Sequence, residues 1–308
     1  MSLPPDFIGP RHQTNWDWRA ACNFMFGGAG SGLVIAAALL APPQIVQWSA
    51  TAVALLFVGT GLFCVWLEIG RPFRAINVFL HPSTSWMTRE AIIAPLLFGF
   101  GALVLWRGGG FAWAAALTGA AFLFCQAQIL KASRGIPAWR TPVIVPLIVA
   151  TGLAEGAGLL IVVAAFYGIF YAALPVALCV LLLGRGVAWR AYRAALQEQG
   201  TPEQTFIAVD ACAARVSILG QWTPALLALL ALALGGAALP GHAAALAAGV
   251  FAVYGGWLMK FTIVARAAYN QGFALPKLPV RGQPMAVEPS LRNAQPGWRA
   301  ADISTGQF

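Results

Sequence analysis

The sequence predicts an all-α integral membrane protein of eight transmembrane helices with both termini in the cytoplasm. Three observations carry this expectation. Only 9% of the 308 residues are charged and 59% are apolar, whereas a soluble domain carries about 25% charged residues. Too few charges remain to coat a water-soluble globule. Eight apolar runs are each close to or above the ~20 residues that cross a bilayer. Eighteen of the nineteen Lys and Arg fall on one side of the resulting bundle and only Arg107 on the other. The rich side is thereby marked as cytoplasmic. The net charge of +9 belongs to a membrane face, and nothing points to nucleic acid.

Span 1 covers 18–41 and is too long for the apolar core of a signal peptide. Its opening, Asn23-Phe-Met-Phe-Gly27-Gly28-Ala-Gly30-Ser-Gly32, holds a GxxxG at Gly28 and Gly32 that lets another helix approach closely. Asn23 lies about one turn inside the interface, placed for a helix–helix hydrogen bond or a ligand contact. Pro42-Pro43-Gln44 makes a very short link to span 2, 45–69, which ends on Glu68. A carboxylate there opposes the negative end of the helix dipole, so it calls for a partner, and Arg71 at i+3 is the obvious one. Span 3, 88–106, carries Glu90 in its opening turn, where the dipole favours it. Span 4 is 110–131. Span 5, 142–166, holds Glu155 thirteen residues past Pro142, about 20 Å down the helix. Its neighbours Gly152, Ala154, Gly156 and Gly158 are small, so Glu155 is either a structural, hydrogen-bonding carboxyl or a proton relay.

Span 6, 170–189, is expected to continue as a helix through Arg185, Arg190, Arg193 and Glu198 until Gly200 stops it. Thr201-Pro202-Glu203-Gln204 then reads as a helix start with Thr201 as N-cap. Span 7, 207–239, is too long for a straight crossing, so part of it belongs outside the hydrocarbon. Span 8, 243–268, holds Lys260 late in its course, where the stem can snorkel to the interface. Residues 1–17 are then a cytoplasmic N-terminal segment, 18–270 the transmembrane domain and 271–308 a tail. Five prolines in the last 36 residues and no helical period mean that the tail needs a surface to lie on, which a partner would supply. Trp16, Trp18, Trp66, Trp86, Trp139 and Trp189 lie near the charged face, as an aromatic belt would.

The chain shows no Ser/His/Asp pattern, GxSxG, Walker loop or metal-ligand cluster. The five cysteines are far apart and share no CxxC spacing, so they read as small apolar residues, with no iron–sulfur cluster or metal. His12, His81 and His242 flank the spans instead of sitting inside them, which argues against a bis-histidine haem. Ionisable residues at the membrane are the remaining signal, because they are costly there and often functional. The densest group runs from Trp66 to Asn77 and then from Ser85 to Glu90. It reads either as interfacial salt bridges with a helix-start carboxylate, or as a pocket for a ligand with a polar head and an apolar tail.

Glu68-Ile-Gly-Arg-Pro-Phe-Arg-Ala-Ile-Asn77 resembles the (H/E/D)-(L/I)-G-x-P-x-R-(A/x)-x-N signature after the second helix of the NrfD/PsrC/DmsC family. These are the membrane subunits of molybdopterin oxidoreductases. The 22-residue separation of Glu68 and Glu90 is similar to the spacing in the DmsC branch, and Ile136-Pro-Ala-Trp139-Arg140 resembles that branch's (I/V)-P-x-W loop. Phe24–Gly32 is similar to the family's glycine-rich first helix. Where this chain has Glu68, the DmsC branch has a histidine implicated in menaquinol binding.

The resemblance implies a membrane anchor and quinone-reactive subunit in a bacterial cytoplasmic membrane. Ubiquinone or menaquinone would bind near Glu68, Arg71, Arg74, Asn77 and Glu90, and Glu68 and Glu90 would move protons; the residues alone add Asn23 as a ligand contact and Glu155 as a further proton-transfer candidate. The implied partners are a four-cluster iron–sulfur subunit and a catalytic subunit with molybdenum- or tungsten-pterin. They would dock at Arg89, Lys131, Arg134, Trp139 and Arg140. Gln13-Thr-Asn-Trp-Asp-Trp-Arg19 looks more like the phenylacetyl-CoA:acceptor oxidoreductase membrane subunits than the sulfite-oxidising ones. Sidedness suggests a cytoplasmic substrate, such as a coenzyme A thioester or sulfite, and quinone reduction. Two other classes stay open from the residues alone: a secondary transporter built around Glu155, and an anchor with no quinone chemistry.

Overall fold

The computed structural model describes residues 7–69, 72–235 and 239–274. Eight helices long and apolar enough to cross a membrane run through them: α1 Trp18–Leu40, α2 Gln44–Glu68, α3 Trp86–Arg107, α4 Gly109–Ala132, α5 Ile144–Phe166, α6 Ala173–Glu198, α7 Glu203–Leu234 and α8 Leu239–Arg266. The chain is an all-α, multi-pass membrane protein, and each helix lies within a few residues of its apolar run except α6, which continues past the run to Glu198 as expected. Phe7–Ile8 pairs antiparallel with Phe273–Ala274. Gln13 N donates to Ala268 O at 2.9 Å and Asn270 N to Arg11 O at 2.9 Å. The segments before α1 and after α8 therefore leave on the same face, as an even number of crossings requires. Residues 275–308, most of the tail expected to contact a partner, lie outside the described residues.

Local sequence explains the ends. Asp17 caps α1 by accepting from Arg19 N at 2.8 Å. Its hydrogen bond to the Arg19 side chain holds its carboxyl below the usual carboxylate range. Ser85 Oγ accepts from Thr88 N at the start of α3. Gly200, at φ 60°, ends α6, since a left-handed turn carries no Cβ penalty in glycine. Thr201 does not cap the next helix. Pro202 occupies the position ahead of Glu203 with an extended backbone, which leaves Thr201 one residue too early, and its hydroxyl turns back to the Leu196 carbonyl.

The surplus length of α7 has a clear division. Glu203–Ser217 carries Asp210 and Arg215, and Asp210 pairs with Arg193 of α6. Thr223–Leu234 is apolar after its first residue. Between them, Ile218–Trp222 is a π-helical turn. Similar turns occur at Asn23–Gly27 in α1 and Thr262–Arg266 at the end of α8.

α1 and α5 are the most enclosed helices of the bundle. The GxxxG reading holds at Gly32. A Cβ on Gly32 would fall on the Gly152 carbonyl, and one on Gly156 would strike the Gly32 backbone. Main chain on both sides cannot move aside as a side chain could. Gly156→Leu is therefore expected to abolish the folded bundle, read as loss of the monodisperse peak in detergent. Gly99→Ala in α3, where a Cβ meets nothing within 4 Å, should keep it. Equal behaviour of the two variants would contradict this crossing.

The expected aromatic belt holds only in part. Trp18 and Trp66 are exposed, but Trp139 and Trp189 belong to the core. The short helix Pro137–Arg140 folds inward, stacking Trp139 on Trp16 with centroids 4.8 Å apart. Trp139 Nε1 donates to the Ile263 carbonyl at 2.8 Å.

Candidate functional site: a polar chain inside the bundle

Glu90 faces inward from the second turn of α3 and is 6% exposed. Asn23, in the π turn of α1, donates Nδ2 to Glu90 Oε1 at 3.2 Å. Gln126 of α4, fully buried, donates Nε2 to the Asn23 carbonyl at 2.9 Å. Farther along, Lys260 of α8 donates Nζ to Glu155 Oε2 of α5 at 2.6 Å, and both side chains are 0% exposed.

Glycines make the room. A Cβ on Gly256 would strike the Glu155 carboxyl, and one on Gly28 would strike Lys260 Nζ. Gln126 Oε1 also borders Gly28, 3.5 Å from where that Cβ would sit. Gly28 thus separates two polar groups: Glu90–Asn23–Gln126 on one side and Lys260–Glu155 on the other. Gly28 serves side chains more than helix contact, which the GxxxG reading did not anticipate.

Arg185 of α6 is fully buried as well. It donates Nη1 to the Ala252 carbonyl at 2.9 Å, Nε to Gln221 Oε1 at 3.4 Å and Nη2 to the Gly220 carbonyl. At each of the three π turns a main-chain carbonyl accepts from a side chain: Asn23 from Gln126, Gly220 from Arg185 and Ile263 from Trp139. Such turns recur at functional sites.

Two expectations are corrected here. Lys260 does not snorkel, and Arg185 does not sit on the charged face. A buried ion is costly, but a close partner or several hydrogen bonds offset much of that cost, and both cations find them inside. Asn23 Oδ1, Gln126 Oε1 and Glu155 Oε1 are buried with no hydrogen-bond partner among the described residues. Buried acceptors of this kind call for a donor, from water or from a ligand. The carboxyls of Glu90 and Glu155 and the Lys260 ammonium are groups that can hold and pass protons.

Glu68 is half-buried at the end of α2. Among the described residues, Arg19 reaches this helix end: its Nη1 donates to the Leu67 carbonyl at 3.0 Å while its Nη2 pairs with Asp17 at 2.8 Å. Arg71 lies outside the described residues, as does the side chain of Arg74. Asn77 is exposed. Among the described residues no hydrogen bond joins Glu68 or Asn77 to Glu90. Among the described residues of the expected quinone set, only Asn23 and Glu90 are brought together by a direct bond.

The expected docking residues divide as well. Lys131 and Arg134 are exposed, and Arg140 is half-buried with Nη2 donating to Gln271 at 2.9 Å. Arg89 turns back on its own loop, donating to the Pro82 and Ser83 carbonyls and lying 4.1 Å over the Trp86 ring. Trp139, 4% exposed, is not available for docking. The sequence reading missed Gln126 altogether. An amide inside an otherwise apolar run was the signal, and Gln126 is one of two such residues in span 4.

The chain is 31% identical over 216 residues to a subunit of the sulfite dehydrogenase of Allochromatium vinosum, covering 59% of this chain and 66% of that protein. It therefore spans just under two thirds of that relative's length. No family model matches the chain.

Proposed function

We propose that this chain is the membrane subunit of a quinone-linked oxidoreductase complex, exchanging electrons between a partner iron–sulfur subunit and quinone in the bilayer. The observation that carries the reading is the buried Glu90, held by Asn23, with Gln126 on the Asn23 carbonyl and the Lys260–Glu155 pair on the other side of Gly28. The likeness to a sulfite dehydrogenase subunit supports it, as does the family signature around Glu68. Reduction of a quinone to a quinol takes two electrons and two protons. A cluster in the partner would supply the electrons, and the carboxyls Glu90 and Glu68 would hold the protons for the ring oxygens. The inner pair Glu155–Lys260 serves as the next proton store. The complex is completed by a molybdenum- or tungsten-pterin subunit, which holds the substrate. The relative's name favours sulfite and the Gln13–Arg19 stretch a coenzyme A thioester, so both are to be assayed.

Glu68→Gln separates the quinone step from assembly. Quinone-linked turnover of the purified complex is expected to fall about 10²-fold or more, as for loss of a general acid, while dye-linked turnover of the soluble subunits persists. Unchanged quinone turnover would remove Glu68 from the site, and loss of both activities would mark it as an assembly residue. A transporter reading is favoured by no geometry here beyond the buried Glu155. Uptake by vesicles holding this chain alone would support it.

A further inference from the structure

A second feature lies away from the Glu90 chain. A cleft of about 580 Å³ opens on the same face as the termini, lined by Trp86, Gln128, Lys131, Arg134, Arg140 and Gln199 among others. Three of these are cations and none is an acid. None of the three cations meets a carboxylate within 4 Å among the described residues. Lys131 is near the last residue of α4 and Trp86 is the first of α3, so the cleft starts where these helices leave their apolar lengths.

The outer face of α4 leads into it. Trp113, Leu117 and Phe124 are 63%, 73% and 43% exposed. With Ala120 they continue at helical spacing to Gln128 and Lys131, forming one stripe at 113, 117, 120, 124, 128 and 131. The rest of α4 between Gly119 and Leu130 is largely buried. One stripe thus runs from apolar side chains to an amide and then to a cation. Phe124 and Trp86 meet edge to face with centroids 5.7 Å apart, joining the apolar track to the lining of the cleft.

We propose that this cleft is a binding site for the phosphate headgroup of an anionic phospholipid, whose acyl chains lie along the Leu117–Phe124 face of α4. The cations select an anion, and the apolar track beneath selects a tethered one over a free one. An acidic segment of a partner protein would use the cations and leave the track unused. A neutral quinone ring would use the track and leave the three cations uncompensated.

Dioleoylphosphatidylglycerol, dioleoylphosphatidylcholine and inorganic phosphate, each titrated into the delipidated full-length chain in detergent, test the assignment. Phosphatidylglycerol is expected to bind well above phosphatidylcholine, with inorganic phosphate failing to compete at millimolar concentration. A juxtamembrane cation is worth roughly a fivefold change in affinity for an anionic lipid. The triple variant Lys131→Gln, Arg134→Gln, Arg140→Gln should therefore lose on the order of 100-fold. Arg134→Gln alone, at an exposed side chain, should lose about fivefold and does so even if the triple variant fails to fold. Phosphatidylglycerol affinity unchanged in Arg134→Gln and in a folded triple variant would overturn the site. Equal binding of inorganic phosphate would make it a free-anion site instead. Loss of partner subunits from the triple variant with lipid affinity intact would make it a protein dock.

Discussion

Lys260→Met is expected to destabilise the bundle by about 3–5 kcal/mol, the cost of leaving one member of a buried ion pair without its partner. The methionine fills most of the lysine's volume, so little of the loss comes from a cavity. What remains is the Glu155 carboxylate, 0% exposed, facing Gly256 with its only charged neighbour within 4 Å among the described residues removed. The double variant Glu155→Gln, Lys260→Met should recover most of the loss, because a neutral pair has no charge to leave uncompensated. Thermal unfolding of the two variants and the native chain in the same detergent checks this. A single variant as stable as the native chain would show that the pair does not form.

The second large effect is on turnover. Glu90→Gln keeps the shape and one acceptor oxygen, so Asn23 Nδ2 retains a partner and the helix start is undisturbed. The change removes the acidic proton. Quinone-linked turnover of the complex should drop about 10²–10⁴-fold, with dye-linked turnover and copurification of partners intact. Gln126→Leu should follow in the same direction with a smaller effect, because Gln126 positions Asn23 through its carbonyl. A Glu90→Gln complex with normal quinone turnover would leave the buried polar chain without a part in the reaction.

The helices and the interior polar chain differ in how far the sequence reveals them. Hydropathy and length are local quantities, so the eight spans are legible to within a few residues, and so is the Gly32 crossing. The Glu155–Lys260 pair joins residues 105 apart in sequence. No local rule says which of two distant helices will face each other, so Lys260 reads as a snorkelling cation. Arg185 reads as part of a charged extension because Arg190 and Arg193 follow it; its carbonyl partners Gly220 and Ala252 exist only once α7 and α8 have packed. Trp139 reads as interfacial from its loop, while its burial depends on Trp16 and the Ile263 carbonyl. Asn23 and Glu90 both stand out in the sequence, yet the amide that braces Asn23 through its carbonyl, Gln126, carries no charge and gives no ionisable signal.

The central claim is that quinone receives electrons through this chain. The direct measurement is to purify the complex through a tag on this chain, reduce its iron–sulfur clusters, add oxidised quinone and follow the clusters by electron paramagnetic resonance. The account predicts that the clusters copurify, reoxidise with the native chain within the turnover time, and do so far more slowly with Glu90→Gln. Clusters that copurify but stay reduced when quinone meets the native complex would contradict it.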